Sequence, residues 1–210
     1  MNVAEKEAEL LGALIGDGHI SLASKSYVIG FTGNIISDKK YFDYLSTLIQ
    51  EVWGKKCFPR IGGRGLRIVI CSKKICFELI SKFNIPFGVE KTLKVKIPEK
   101  FISDWNSCKF VVRGIADTDG SVFCSRKPGV KNYPAIEITT CSIELATQLK
   151  DILSLNGFRV TKIRSYLSKC SKHTAYKVCL YGNKNLSHWL TEIGFSNPSK
   201  LEKAHRLVGY

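Results

Sequence analysis

Hydrophobic residues along the chain change between two spacings, one typical of helices and one typical of strands. Apolar side chains three to four residues apart occupy residues 42–49 and 146–153, which predicts two amphipathic helices. Alternation of β-branched or aromatic residues with polar residues predicts strands. The strand candidates are residues 26–33, 60–72, 134–141, 159–167 and 175–182, and residues 124–134 are interpreted as a basic loop or hairpin tip. Helices interleaved with hairpins place the chain in the α+β class, with helices on one face of each sheet.

The same pattern occurs twice along the chain. Ile70 matches Leu180 at an offset of 110 residues, and a run of apolar residues matches another at an offset of 104: Phe42, Leu45, Leu48 and Ile49 against Ala146, Leu149, Ile152 and Leu153. Loop insertions in a duplicated unit produce an offset that drifts in this way. We therefore predict two pseudo-symmetric halves with the element order αββαββα, residues 1–100 and 109–210, joined by a linker at residues 101–108.

The charge balance indicates a polyanionic partner. The chain of 210 residues has 32 Lys and Arg against 18 Asp and Glu, a formal net charge of +14. An excess of this size favours nucleic acid, although a basic surface alone is the simpler alternative. The hydrophobic fraction of 44% is sufficient for a folded core, so a disordered chain is excluded.

Many of the basic residues lie in or beside the strand candidates, with tyrosines between them. A twisted antiparallel ribbon fits the major groove of DNA, so two such sheets would form a DNA-binding saddle. The alternative is that each lysine only protects an exposed strand from aggregation. The predicted DNA-binding residues are Lys25, Tyr27, Arg60, Arg64, Arg67, Arg126, Lys127, Lys131, Lys162, Arg164, Tyr166 and Lys177.

Two apolar segments with small residues on one stripe both end in Asp-Gly: "LLGALIGDG" at residues 10–18 and "VRGIADTDG" at residues 112–120. Gly12 and Gly16 in the first, and Gly114 and Thr118 in the second, would allow two helices to pack closely. The two C-terminal ends would then lie together at a pseudo-twofold axis.

That packing would bring Asp17 and Asp119 near each other, where each helix already ends in partial negative charge. A divalent cation would relieve the repulsion, because carboxylate and carbonyl oxygens are the ligands that Mg²⁺ prefers. The alternative is that each Asp-Gly forms a helix-ending turn, with Gly18 and Gly120 in the left-handed conformation.

These two segments resemble the paired signature motifs of the single-chain LAGLIDADG homing endonucleases, and the resemblance extends over nearly the whole chain. The first motif departs at Ile15 and the second at Val112 and Arg113, whereas the final Asp and Gly of both motifs are intact. The resemblance implies motif helices packed at a central interface and a metal-dependent endonuclease. Such an enzyme makes a double-strand break in a long DNA target and leaves short 3′ overhangs.

The resemblance also implies roles for particular residues. Asp17 and Asp119, with the carbonyls of Gly16 and Thr118, would bind Mg²⁺; Mn²⁺ would substitute, and Ca²⁺ would support binding without cleavage. Lys91 matches the lysine that approaches the attacking water and the scissile phosphate, and Lys200 is its counterpart in the second half. Asn34 and Thr140 resemble polar positions that order water in the family.

Two other functions remain open at this stage: an RNA maturase of the same fold, or a DNA-binding regulator without catalysis. The expected partner is double-stranded DNA, with no membrane or small-molecule partner, and the expected state is a monomer. No long apolar run and no leader peptide is evident, so we expect an intracellular protein, in a prokaryotic cytoplasm or an organelle. The initial Met and the lack of flanking splicing domains suggest an intron-encoded or free-standing protein. The eight cysteines form no C-x-x-C pair and are interpreted as core residues.

Overall fold

The first half of the chain contains the predicted sequence of elements. The computed structural model describes residues 1–63, 65–167 and 172–209. The elements of the first half are α1 (Val3–Ile15), β1 (Gly18–Ala23), β2 (Ser26–Gly33), α2 (Lys39–Trp53), β3 (Arg60–Gly62), β4 (Gly65–Cys71) and α3 (Lys73–Phe83). A 3₁₀ turn (Gly88–Glu90) and two short helices, α4 (Lys91–Lys94) and α5 (Glu99–Ile102), lead to the second half.

The second half repeats this order and then adds one helix. Its elements are α6 (Trp105–Asp119), β5 (Gly120–Lys127), β6 (Val130–Thr140), α7 (Ile143–Leu155), β7 (Arg164–Tyr166), β8 (Ala175–Tyr181), α8 (Asn183–Glu192) and α9 (Pro198–Val208). Both halves therefore have the predicted αββαββα order. The proposed linker at residues 101–108 holds the end of α5 and the first turn of α6.

The strand predictions are correct in number of hairpins but not in every boundary. The candidate at residues 26–33 coincides with β2, whereas only residues 164–166 of the candidate at 159–167 form a strand. Strands β1 and β5 follow the motif helices directly and were not among the individual strand candidates. The basic segment 124–134 is the tip of the β5–β6 hairpin together with the strand residues on both sides of it.

The two four-stranded sheets have the same topology and the same register. Their strand orders are β1-β2-β4-β3 and β5-β6-β8-β7, and all of these pairs are antiparallel. Gly18 pairs with Phe31, which pairs with Ile68; Gly120 pairs with Ile138, which pairs with Val178. The glycine of each motif therefore begins the first strand of its sheet at an equivalent place.

One face of each sheet packs on the helices and the other is open. In the first sheet Ile29, Phe31 and Ile68 are buried against the core. The apolar residues matched at an offset of 104 are all buried as well, which confirms that they form the inner faces of α2 and α7. Since side chains alternate along a strand, the residues between the core positions line the open face.

Helices α1 and α6 pack together at the centre of the molecule through their small residues. A Cβ atom added at Gly12 would overlap the carbonyl oxygen of Val111, and one added at Gly114 would overlap the carbonyl oxygen of Glu9. Backbone therefore touches backbone across this interface, and a side chain at either glycine would separate the helices. The packing predicted from the glycine spacing is confirmed.

The interpretation of the cysteines as core residues is only partly correct: Cys76, Cys108 and Cys179 are buried, whereas Cys71 and Cys124 are exposed. In the part of the chain that the structure describes, Cys57, Cys71, Cys76, Cys108, Cys124, Cys141 and Cys179 are free thiols, and Cys170 lies outside that part. Of the helices that it describes, none combines the length and the apolar character needed to cross a bilayer. The described part of the chain thus consists of two four-stranded sheets packed on a common helical core.

Candidate functional site

The two Asp-Gly pairs mark the points where a motif helix turns into the first strand of its sheet. Helix α1 ends at Ile15 with Gly16 as its cap, and α6 ends at Asp119. Gly120 has a φ of −89° and starts β5 in an extended conformation, and Gly18 is not left-handed either. A Cβ atom at Gly120 would overlap the carbonyl oxygen of Ala116, so the glycine is required by close approach to the helix. The alternative of a left-handed helix-ending turn is therefore wrong.

The packed helix ends bring the motif carboxylates into one small region. A Cβ atom added at Gly16 would overlap the Thr118 hydroxyl and would lie 3.4 Å from Oδ2 of Asp119. The Asp119 carboxylate thus lies beside the end of the first motif, and its charge interacts with that of Asp17. The region lies between the two sheets, where α1 and α6 end.

Burial makes both carboxylates costly to ionise. Burial, followed by repulsion from Asp17, raises the pKa of Asp119 to about 7. Asp17 is exposed at the surface, but the protein atoms packed around it remove enough water to raise its pKa as well. The ammonium groups of Lys200 and Lys91 oppose both shifts. Additional positive charge in this region would therefore stabilise the ionised carboxylates further.

Lys91 and Lys200 supply the positive charge that the region already holds. Nζ of Lys91 donates a hydrogen bond to the carbonyl oxygen of Gly16. Nζ of Lys200 lies 2.9, 2.7 and 3.0 Å from the carbonyl oxygens of Ala116, Asp117 and Thr118. Each lysine thus binds carbonyls at the C-terminus of one motif helix, where the helix dipole places partial negative charge.

Both lysines are themselves destabilised as cations by burial. Burial lowers the pKa of Lys91 to about 8, although the carboxylates of Asp119 and Asp17 oppose the shift. Burial also lowers the pKa of Lys200, against the charges of Asp117, Asp17 and two further aspartates. Perturbed carboxylates and lysines in one cleft are typical of a reactive site.

The geometry combines residues from opposite halves. A cavity of about 190 Å³ contains the Gly16 end of the first motif, Lys91 of the first half, and Asp119 of the second. In electrostatic terms Asp119 is the carboxylate with the largest effect on Lys91, whereas Lys200 is the cation with the largest effect on Asp17. The cavity is lined by Ile15, Gly16, Lys91, Thr92, Val95, Asp119, Thr139, Thr140 and Cys141.

The oxygen atoms in this region suit a divalent cation. The carbonyl oxygens of Gly16 and Thr118 accept hydrogen bonds from ammonium groups, which shows that they are directed at positive charge. Asp17 and Asp119 add one carboxylate each, and all of these atoms are hard donors of the kind Mg²⁺ prefers. Within the described ranges no three His, Cys, Asp or Glu side chains are grouped to hold a metal. A site here would therefore combine carboxylates with backbone carbonyls and water.

The open faces of the two sheets carry matching rows of residues near the motif ends. In each sheet, a threonine on the second strand is paired with a basic residue on the fourth strand. The same basic residue is paired with an arginine on the third strand. The equivalent rows have the same place in the register. They are Thr32, Arg67 and Arg60 in the first sheet, and Thr139, Lys177 and Arg164 in the second.

The second sheet adds stacked aromatic and basic residues to its row. Lys127 lies over the ring of Tyr133, and Lys177 lies over the ring of Tyr166. Tyr133 in turn stacks on Tyr181. A shallow cavity of about 520 Å³ runs along this part of the surface, lined by Ser125, Arg126, Lys127, Pro128, Tyr133, Thr161, Lys162, Arg164 and Tyr181.

Not every predicted DNA-binding residue lies on an open face. Tyr27 shares the face of Ile29 and Phe31, and its ring packs edge-on against Phe77 at 5.2 Å. We therefore remove it from the DNA-facing set. Lys25 occupies the exposed β1–β2 turn, Lys131 is exposed on β6, and Arg64 lies outside the described residues.

Comparison with known proteins identifies the second half directly. Residues 110–194, which begin in the second motif helix, match the family model of the LAGLIDADG-like domain. The chain contains a LAGLIDADG-like domain. The duplication seen in topology and register extends the same architecture to the first half.

Solved structures show that the LAGLIDADG fold covers the whole chain. I-DmoI in complex with DNA and Ca superposes with a TM-score of 0.62 and 18% identity, covering 98% of each chain. The homing endonuclease I-WcaI bound to its DNA recognition sequence gives a TM-score of 0.59 and 14% identity, covering 98% of this chain and 86% of that one. Full-length DUF199/WhiA from Thermatoga maritima gives 0.58 and 17%, covering 99% of this chain and 61% of that one.

Curated relatives are much longer than the chain. The replication factor C small subunit of Thermococcus kodakarensis is 34% identical over 209 residues, which are 98% of this chain and 22% of the relative. The protein of the same name from Methanocaldococcus jannaschii is 27% identical over 205 residues, 97% of this chain and 10% of the relative. The chain thus spans about a fifth or less of these relatives.

The structure assigns different surroundings to the two predicted water-ordering residues. Thr140 lines the cavity beside Asp119. The side-chain oxygen of Asn34 instead accepts hydrogen bonds from the backbone amides of Ile36 and Ser37 in the turn before α2. That oxygen is committed to the turn, so the catalytic role predicted for Asn34 has no support from this geometry.

Three residues at the site were missed in the sequence. Asp117, which is 2% exposed, occupies the place in the second LAGLIDADG motif where the first has Ile15. Asp38 and Asn197 connect to it, and Asp38 contributes negative charge near Asp17 and Lys200. Asp117 could have been identified from the sequence, because the second motif keeps an aspartate at this position. Asp38 and Asn197 stand in turns outside the motifs, and no motif marks them.

A buried charge pair behind the motif helices was also missed. Glu9 of α1 is fully buried and accepts hydrogen bonds from the Tyr44 hydroxyl at 2.8 Å and from Arg113 at 3.4 Å. Arg113 is one of the two residues by which the second motif departs from the family name. Its departure is therefore matched by an acidic partner on the facing helix, and the pair satisfies both charges.

Proposed function

We propose that the chain is a metal-dependent DNA endonuclease that makes a double-strand break in a long target and leaves short 3′ overhangs. One observation carries the proposal: the two motif carboxylates meet at packed helix ends midway between two sheets with matching basic rows. Support comes from similar structures described as complexes with DNA and with Mn, Ca or Mg. Their identity to this chain is 16–18%, so they support the fold and suggest the ligands.

The open sheet faces would bind the DNA. The equivalent rows on the two sheets would lie over equivalent positions of the two half-sites, because they are related by the pseudo-twofold axis. Arginine and lysine at these places are suited to guanine edges and to phosphates. The proposed DNA-binding set is Lys25, Arg60, Arg64, Arg67, Arg126, Lys127, Lys131, Lys162, Arg164, Tyr166 and Lys177.

The residues between the sheets would perform the hydrolysis. Asp17 and Asp119, with the carbonyls of Gly16 and Thr118, would hold divalent ions beside the phosphates. Such ions, when bound, stabilise the charge that develops on a phosphate and lower the pKa of bound water. Lys91 and Lys200 would leave the carbonyls for the phosphate and attacking water, and Thr140 would orient water in the cavity. Two related sites would cut one strand each.

The direct test has two steps. A target is first recovered from a random duplex library by its binding to the protein in Ca²⁺, and a plasmid that carries this target is then incubated with the protein. We expect Mg²⁺ to produce linear DNA cut at one place, and EDTA to prevent it. Recovered ends with short 3′ overhangs would support the proposed stagger. Binding without any cleavage in Mg²⁺ or Mn²⁺ would instead favour a regulator.

A DNA-binding regulator remains the second candidate, because basic sheet faces could bind DNA whether or not the carboxylate region cleaves it. The fold also occurs as part of a longer protein. DUF199/WhiA contains the fold of the whole chain, and the match covers 61% of that longer protein. A maturase would be distinguished by splicing of a bound intron RNA. The replication factor C relatives match only over a minor part of their length, so their activity is not extended to this chain.

We predict that stabilisation of the protein by Mg²⁺ depends on pH. Burial raises the pKa of Asp119 from its ordinary value of 3.8 to about 7 in the folded protein. The contribution of this group to stability is therefore complete below about pH 4 and is lost as the pH rises through 7. Since a metal ligand must be deprotonated, Mg²⁺ should raise the melting temperature more at pH 8 than at pH 5.5.

Differential scanning fluorimetry with and without ~10 mM Mg²⁺ measures this shift. That concentration is about tenfold above the weak binding constants typical of hard cations, so the site should be mostly occupied. In Asp119→Asn the difference between the two pH values should largely disappear. An equal Mg²⁺ shift at both pH values in the unaltered protein would contradict the assignment of Asp119 as a ligand.

A further inference from the structure

Helix α9 is held in place by a buried carboxylate of the second motif helix. The side chain of Asp117 accepts hydrogen bonds from the backbone amides of Ser196 at 2.9 Å and Asn197 at 3.0 Å. These two residues directly precede Pro198, where α9 begins. The start of α9 is therefore fixed relative to α6 by two charge-assisted hydrogen bonds.

Asn197 connects three helices at this point. Its side chain is fully buried, and Nδ2 donates to the carbonyl oxygen of Asp117 at 3.2 Å and to Oδ1 of Asp38 at 3.3 Å. Its Oδ1 caps α9 by accepting a hydrogen bond from the amide of Ser199 at 3.1 Å. A single amide thus joins α6, the turn before α2, and α9, with both its donor and its acceptor in use.

The residue placed by this arrangement is Lys200. It is the third residue of α9, and its ammonium group binds three consecutive carbonyls at the end of α6. A lysine side chain is long and flexible, so its ammonium keeps one position only when the backbone that carries it is fixed. The contacts of Asn197 and Asp117 supply that fixed backbone.

Lys91 in the other site is carried by a different structure. It begins the four-residue helix α4, after a turn in which Val89 is 92% exposed. The place of Asp117 in the first motif is taken by Ile15, whose buried side chain cannot accept a hydrogen bond. The two lysines are thus equivalent in their contacts with helix-end carbonyls but not in the way their own backbone is anchored.

We propose that Asn197 and Asp117 are positioning residues for Lys200, and that they serve only one of the two strand-cutting sites. This inference rests on the proposed endonuclease function. Loss of the Asn197 amide would loosen Lys200 while leaving Lys91 and the motif carboxylates in place. The protein would then cut one strand normally and the other slowly, so that it nicks its target.

The experiment measures single-turnover cleavage of each strand on a target duplex with a different fluorophore at each 5′ end. Asn197→Ala should slow one strand by roughly 10- to 100-fold, the range typical of groups that orient a reactive residue. The other strand should be cut at a rate within about twofold of the unaltered protein. Asn197→Ser keeps an N-cap oxygen for α9 but removes both amide donations, and it should show the same strand bias with less loss of stability.

Asn185→Ala is the matched control. Asn185 is also a buried asparagine of the second half, and its side chain forms hydrogen bonds with backbone atoms of Arg159 and Tyr181. It should reduce stability and leave the ratio of the two strand rates unchanged. Equal slowing of both strands in Asn197→Ser, or the same bias in Asn185→Ala, would overturn the proposal. An unaltered protein that cuts neither strand would remove the proposed function itself.

Discussion

The Asp119→Asn and Asp17→Asn variants should each lose double-strand cleavage by at least ~1,000-fold, or about 4 kcal/mol in the barrier. Asparagine has nearly the shape of aspartate but lacks the charge needed to hold a divalent ion. The fold should not suffer. Burial makes the ionised carboxylate unfavourable, with a pKa of about 7 for Asp119, so its neutral replacement should equal or exceed the original stability above pH 7.

Cleavage of the recovered target in Mg²⁺ measures the first effect, and thermal melting at pH 8 measures the second. Binding in Ca²⁺ should be largely preserved, because the sheet faces contact the DNA independently of the carboxylates. Either variant cutting both strands at the unaltered rate would show that the metal site has been placed wrongly. Lost cleavage with lost folding would instead show that the carboxylate has a structural role.

The Gly114→Ala substitution should have the largest effect on stability. The added methyl would overlap the Glu9 carbonyl and lie 2.6 Å from the backbone nitrogen of Ala13 and 2.9 Å from the carbonyl carbon of Gly12. Backbone atoms of a facing helix cannot rotate away as a side chain can. We expect a loss of ~3 kcal/mol or more, which lowers the melting temperature by roughly 10 °C in a protein of this size.

Gly209→Ala is a suitable control for this substitution. Its φ of −77° suits any residue, and an added Cβ would meet its nearest atom at 3.6 Å, an ordinary contact. Its melting temperature should stay within about 2 °C of the unaltered protein. A similarly small change in Gly114→Ala would mean that the motif helices do not meet as described, and the shared carboxylate region would lose its basis.

The repeat could be predicted from the sequence because both halves bury apolar residues at equivalent positions of equivalent elements. Apolar residues at helical spacing had to form the inner faces of α2 and α7, and the alternating segments had to form strands. The face of Tyr27 was also readable, since it stands two residues from Ile29 and four from Phe31 on the same side of β2. Its hydroxyl and ring favour a DNA contact by chemistry, but its position in the alternation places it on the core side.

Strands β1 and β5 were harder to read as separate elements. Each begins at the glycine of a motif and is short, with six and eight residues. Each pairs with the strand that follows it in a hairpin, but buried and exposed positions alternate only over its first residues, so the local strand signal is weak. Asn34 was predicted from the family resemblance to order water. Its side chain instead bonds the backbone of the turn before α2, which is a local turn feature.

The sequence by itself determined the duplicated α+β halves, the close contact of α1 with α6, and the aspartates that this contact brings together. It could do so because glycine spacing, periodicity and charge act over a few residues at a time. Only the tertiary structure decided that Lys91 shares a cavity with Asp119 of the other half, and that Asp38, Asp117 and Asn197 fix the helix of Lys200. Those contacts join residues that are tens of positions apart or more: Lys91 and Asp38 reach the other half, whereas Asp117 and Asn197 join two helices of the same half. No local pattern of spacing or charge encodes such contacts, because they depend on how separate elements pack.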